Sequence, residues 1–195
     1  MDGSKAELLE RIERLENETR QLADRQAIID CITAFCRGVN RLDRDLILSV
    51  FHPDAVDDHG FFVGDREAFL KWIEEGVYNK LSFAQHYVGN YTVELNGDEA
   101  HSESYFFVVN KEPGSAEVLL RGGRYIDRFE RRDGEWAIAA RVCLLEWNSA
   151  AKDHSYPEDI QNMLDQAGIP AKDRSDPSYQ RPLRIFRKAQ AVEPR

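Results

Sequence analysis

The sequence predicts an α+β domain, a cone in which a curved antiparallel sheet wraps around N-terminal helices. Its first half carries apolar residues at helical spacing, and its middle carries them at alternating, strand-like spacing. Between the alternating stretches stand NGD at 96–98, EPG at 112–114 and RDG at 132–134, which are hairpin-turn strings. With 195 residues, 42% of them apolar, the chain suffices for one good core and an appendage, whereas two full domains would be cramped.

The elements follow in order. Leu8, Ile12, Leu15 and Leu22 form a thin apolar stripe among Glu, Arg and Lys, so residues 1–23 read as a helical arm, either solvated or lying across a neighbouring subunit. From Asp24 to Asn40 a second helix is expected, with Ile28, Ile29, Ile32, Phe35 and Val39 on its apolar face. Asp43 can cap a short third helix that Pro53 stops. A short strand, Ala55 to His59, leads to another helix, Arg66 to Val77. Four long strands are then expected over 83–95, 100–111, 117–132 and 135–147, with Gly122 and Gly123 marking a bulge or bend. The domain proper thus covers 24–148. Residues 149–195, punctuated by Pro157, Pro170, Pro177 and Pro182, form an extension expected to wrap the domain, cover a pocket mouth or touch a neighbouring subunit.

A formal net charge of −9 repels phosphate backbones and anionic lipid, so neither nucleic acid nor a membrane is an expected partner. No apolar run approaches the roughly 18 residues of a membrane span, and a cytoplasmic protein is expected. Cys31, Cys36 and Cys143 lack metal-ligand spacing and read as reduced core thiols. His52, His59, His86, His101 and His154 are scattered, and a phosphate-binding glycine loop and a nucleophile elbow are both absent, so no metal and no cofactor are expected.

Three strings, FCRGVNRLDRDLILSVFHPDAV, QHYVGNYTVELNGDEAHSESYFFV and GGRYIDRFERRDGEWAIAAR, resemble the SnoaL-like branch of the nuclear transport factor 2-like superfamily over residues 24–148. The resemblance implies a cystatin-like roll around one pocket. Within the superfamily the chain is similar to hexachlorocyclohexane dehydrochlorinase, bile-acid 7α-dehydratase and the diarylpropane lyases that release formaldehyde. All of these are cofactor-free lyases, among which trimers are common. In the dehydrochlorinase the base is a histidine in His-Tyr-x-x-Asn, which His86 in HYVGN matches. The aspartate that orients it is matched by Asn40, the arginine at the leaving group by Arg141, and the dehydratase's tyrosine by Phe35. The chain therefore departs from the family pattern at two positions of its first helix.

Neutral imidazole takes a proton at neutral pH without special tuning, which makes His86 the leading candidate base. An aspartate would stabilise the imidazolium, whereas the Asn40 amide orients without charge. Asp57 and His59, two apart on a strand, share a face and form either a second acid/base pair or a strand-end network. Arg141 needs an anionic partner or a developing negative charge if buried. Of the alternating Arg124 and Tyr125, Tyr125 is expected to face the cavity, and Phe35, Phe83, Tyr105, Tyr125 and Trp147 can line an aromatic-friendly pocket or be plain core.

The resulting expectation is a cofactor-independent lyase acting by elimination on a hydrophobic aromatic or polycyclic small molecule. The reaction would be dehydration or formaldehyde-releasing cleavage of lignin-type dimers, in a homo-oligomer, trimer favoured and dimer possible. The alternatives are a non-catalytic small-molecule binder and a steroid-type isomerase using Asp57.

Overall fold

Residues 2–185 and 187 are described by the computed structural model. Its first element is longer than expected: α1 (Asp2–Arg41) is one continuous helix rather than an arm followed by a separate helix. From Glu7 to Gln26 no proline or glycine interrupts the hydrogen-bond ladder, so the polar part and the core-facing part propagate as one rod. Ile28, Ile32, Phe35, Cys36 and Val39 are buried, while Leu8, Leu9, Ile12, Leu15 and Leu22 are exposed. Near the end of α1 the backbone of Gly38 meets α2 (Arg44–Ser49) so closely that a Cβ there would lie 2.8 Å from Ile47. Asp43 caps α2 by accepting from the Leu46 N–H, as expected.

A strand β1 (Phe51–Asp58) and a short β2 (Val63–Asp65) precede α3 (Arg66–Lys71), which continues as a π-helical turn over Trp72–Val77 and a 3-10 turn over Tyr78–Lys80. The π turn replaces the second half of the expected helix, with the Tyr78 N–H bonded to the Ile73 carbonyl five residues back. Four long strands follow: β3 (Phe83–Asn96), β4 (Glu99–Lys111), β5 (Glu117–Arg132) and β6 (Glu135–Lys152). The β3–β4 turn has positive φ at Gly97, and the β5–β6 turn at Asp133 and Gly134.

All six strands form one sheet in the order β2-β1-β6-β5-β4-β3. It is mixed, because β1 pairs parallel to β6 while every other pairing is antiparallel. No local turn string could announce that pairing, since a parallel partner must arrive by a long crossover. The β5–β6 register shifts between Gly122 and Gly123, where a Cβ on Gly123 would lie 1.9 Å from the Leu144 carbonyl oxygen. This bulge bends the sheet over α1.

The extension folds back on the helices. α4 (Glu158–Asp165) is followed by a turn, Pro177–Tyr179, whose Tyr179 hydroxyl donates to Asp43 Oδ2 at 2.7 Å. Lys172 donates to the Tyr78 carbonyl at 2.9 Å, tying the extension to the 3-10 turn. All three cysteines are free, and burial pushes the Cys31 thiol up to about 11 and those of Cys36 and Cys143 up to about 12. Among the described residues no helix is long and apolar enough to cross a membrane.

Candidate active site

Between α1, the π turn and the concave face of the sheet lies a cavity of about 450 Å³. Strand register sets out its wall in rows, because residues directly opposite on neighbouring strands point to the same face. The deepest row, Ser102, Asp127, Arg141 and Asp57, crosses β4, β5, β6 and β1 and is wholly buried. Next come Ser104, Tyr125 and Cys143, of which Tyr125 and Cys143 line the cavity. Nearer the mouth, His86, Val108, Arg121 and Asn148 cross β3 to β6, and all four line it.

His86 projects into this space from β3. Its Nδ1–H donates to Asn40 Oδ1 at 2.7 Å, and the Tyr78 hydroxyl approaches its Nε2 at 3.4 Å. The Tyr78 ring stacks along the imidazole, 6.4 Å between centroids. Burial pushes the His86 pKa down to about 3, and the charges of His59 and Arg141 act in the same direction. The ring is thus held neutral, and Asn40 supplies no negative charge to oppose that.

His59 stands just beyond the end of β1 and also lines the cavity. Its Nδ1–H donates to Asp57 Oδ1 at 2.5 Å, and the Asp57 side chain is 1% exposed. The Nε2 of His59 makes no hydrogen bond to a described residue and is left for the cavity, while Phe69, Trp72, Tyr125 and Phe35 surround the ring at 5.1–6.4 Å. A carboxylate that fixes the imidazole tautomer and waits for positive charge to develop is the arrangement a general base needs.

Arg141 does not reach the cavity surface. It is 1% exposed and donates through Nε and Nη2 to Asp127 at 2.6 and 2.7 Å, while the Phe35 and Tyr125 rings flank its guanidinium at 4.2 Å. Burial disfavours its charge, but Asp127 more than offsets this and raises the pKa further above its ordinary value. Asp127 thus supplies the anionic partner that the sequence could not name.

Of the expected lining residues, Phe35, His59, Tyr125 and Trp147 border the cavity, whereas Asp57 sits behind His59. Phe83 and Tyr105 do not border it and are corrected. Tyr105 is 45% exposed, with Arg124 packed over its ring, and the neighbouring Phe106 lines the cavity instead. The pleat alternates, so Tyr105 points to the face opposite the one that Phe106 presents to the cavity. Tyr78, Trp72, Asn110 and Arg121 also line the cavity and were missed, because residues from a turn, a π segment and two strands share no sequence pattern. Among the described residues no cluster of His, Cys, Asp and Glu side chains is arranged to hold a metal ion.

Residues 20–142 match the family described as SnoaL-like domain. The chain belongs to this family. A curated relative, the uncharacterized protein Rv2910c of Mycobacterium tuberculosis, is 29% identical over 126 residues, covering 63% of this chain and 85% of the relative. Among solved structures, the SnoaL-like chain is similar to hexachlorocyclohexane dehydrochlorinase of Novosphingobium barchaimii, with a TM-score of 0.66 and 22% identity over 72% of this chain and 99% of that one. It is also similar to a scytalone dehydratase candidate from Novosphingobium aromaticivorans, with a TM-score of 0.61 and 17% identity over 70% and 91% of the two chains. A cystatin-like protein from Nostoc punctiforme aligns with a TM-score of 0.54 and 19% identity over 64% and 92%. At these identities the structures share the fold, and that fold is the α+β roll expected from the sequence.

Proposed function

We propose that the protein is a cofactor-independent lyase that catalyses an elimination on a hydrophobic aromatic or polycyclic molecule. The observation that carries this reading is His59, hydrogen-bonded to a buried carboxylate on one side and open to an apolar cavity on the other. In this scheme His59 Nε2 takes a proton from a carbon next to a carbonyl or aryl group, and Asp57 stabilises the imidazolium. The C–H electron pair becomes the new double bond as the C–O bond breaks. The imidazolium then returns its proton to the departing oxygen, so water leaves and His59 is restored. His86, neutral and with its Nδ1–H given to Asn40, accepts at Nε2 from a substrate hydroxyl, while the Tyr78 hydroxyl beside it supplies a donor for substrate oxygen. This gives His86 a positioning role and moves the base to His59.

The similarity to hexachlorocyclohexane dehydrochlorinase and to a scytalone dehydratase candidate supports elimination chemistry in general. Within it we favour dehydration, or formaldehyde-releasing cleavage of a lignin-type aromatic dimer. In the latter, the base takes a hydroxymethyl O–H proton and the C–C bond pair enters a conjugated acceptor as formaldehyde departs. A steroid-type isomerase using Asp57 directly is disfavoured, because that carboxylate lies behind His59.

The test is mass-spectrometric product analysis with phenolic diarylpropanes, hydroxysteroids and halocycles, without added metal or cofactor. Turnover that falls by a factor of about 100 or more in His59→Ala supports the proposal. Undiminished turnover in that variant would sink the assignment of the base, and tight binding without product from any of the panel would make the protein a binder.

A further inference from the structure

Arg121 lines the cavity on the same row as His86, with only Val108 of β4 between them, since His86 pairs with Val108 and Val108 with Arg121. Two strand spacings put their backbones about 10 Å apart. The other arginines of β5 are occupied: Arg124 binds Glu103 and Glu146, Arg128 binds Glu130, Arg131 binds Asp24 and Asp98, and Arg132 binds Asp54 and Glu130. Arg121 has no carboxylate within ion-pair distance and no hydrogen-bond acceptor among the described residues. Glu146, which also borders the cavity, is bonded to Arg124 Nε at 2.6 Å.

Two more observations mark this end of the cavity as built for a polar group. Asn110, 4% exposed on β4, lines the cavity, and its side-chain oxygen has no hydrogen-bond donor among the described residues. Burial raises the pKa of the Tyr78 phenol, and the positive charge of Arg121 acts against that rise, so Arg121 lies within electrostatic reach of the group beside His86. Around His59 the wall is aromatic, with Phe35, Phe69, Trp72 and Tyr125, and Phe106 adds to it. An unpaired guanidinium at one end of an aromatic cavity calls for a ligand that is aromatic along its body and anionic at its end.

We infer that Arg121 is the anchor for a substrate carboxylate, so that the ligand class is an aryl acid held with its anion at the mouth and its reacting carbons between His86 and His59. This deepens the proposed function and rests on the same cavity. It adds what that proposal leaves open, namely which end of the substrate enters last and which substrates are preferred. A neutral ester or amide of the same shape loses the paired charge and keeps only the apolar contacts.

Isothermal titration calorimetry with 2-naphthylacetate and 2-naphthylacetamide, which share size and shape, reads the inference without any chemical step. Wild-type protein is expected to bind the acid at least tenfold more tightly than the amide. In Arg121→Met the two should agree within about twofold through loss of acid affinity, and added salt should weaken the acid in the wild type alone. Equal binding of acid and amide, no binding of the acid, or a preference that survives Arg121→Met each overturns it. Because no turnover is measured, an inactive protein that shows the acid preference refutes the lyase reading while leaving the anchor standing. An active lyase indifferent to charge does the reverse.

Discussion

His59 and His86 face one cavity, yet only His59 has a carboxylate behind it: Asp57 Oδ1 lies 2.5 Å from its Nδ1, whereas His86 leans on the amide of Asn40 at 2.7 Å. This asymmetry assigns the two imidazoles different work and makes it measurable. Asp57→Asn keeps a hydrogen-bonding group behind His59 but removes the charge. It is expected to lower kcat by about 10- to 100-fold with little change in KM, as for loss of the carboxylate behind a ligating or catalytic histidine. Steady-state kinetics on the substrate identified by product analysis checks this. A change confined to KM would count against a role in proton transfer.

Asn40→Asp supplies the charge that His86 lacks. The His86 pKa, held down to about 3 chiefly by burial, is expected to move upward by about one to three units. An NMR titration of the histidine ring signals measures it directly, and a His86 signal that titrates unchanged would remove Asn40 from its proposed orienting position.

His86 also predicts how stability depends on pH. Its folded pKa is depressed relative to the ordinary 6.5, so below about 6.5 the unfolded chain takes up a proton that the native state refuses. Its contribution is therefore complete above that pH and declines as pH falls toward about 3, by at most about 1.4 kcal/mol per pH unit. Urea midpoints across this range should fall less steeply in His86→Gln than in the wild type.

The Arg141–Asp127 pair is a structural keystone with no route to solvent. Asp127→Ala would strand a buried guanidinium and is expected to destabilise the fold by about 3–5 kcal/mol. The double variant Asp127→Leu with Arg141→Met should recover much of that loss. Denaturant unfolding of the single and double variants tests this, and equal losses in both would mean that packing rather than charge dominates.

The exposed stripe of Leu8, Ile12, Leu15 and Leu22 predicts a partner surface for α1. Removal of residues 1–22 is expected to lower the mass seen by light scattering while leaving the fold intact by circular dichroism. An unchanged mass would make the stripe a solvated arm.

Much of the fold was legible in the residues. The NGD and RDG strings mark turns whose positive-φ residues only glycine or a short polar side chain takes easily, and the alternation between them marks strands. The π turn was not legible, since the π and α forms of 66–77 share the same apolar residues and differ only in hydrogen-bond register. Nor was the parallel β1–β6 pairing, which depends on where a distant strand docks. In the site, His86 and Tyr125 could be found because one stands in a recognisable string and the other in a clean alternation. Asp127, Tyr78 and Arg121 could not, because each matters through a neighbour that is remote in sequence.

By itself, then, the sequence determined the four long strands, their turns, the roll and the histidine at position 86, all of which follow from local periodicity and backbone preference. The tertiary structure decided which imidazole has a carboxylate partner, which arginine is spent on the buried Asp127 and which stands at the cavity without a partner among the described residues. Those outcomes depend on distances across strands and on burial, and both come into being only when the sheet closes over α1.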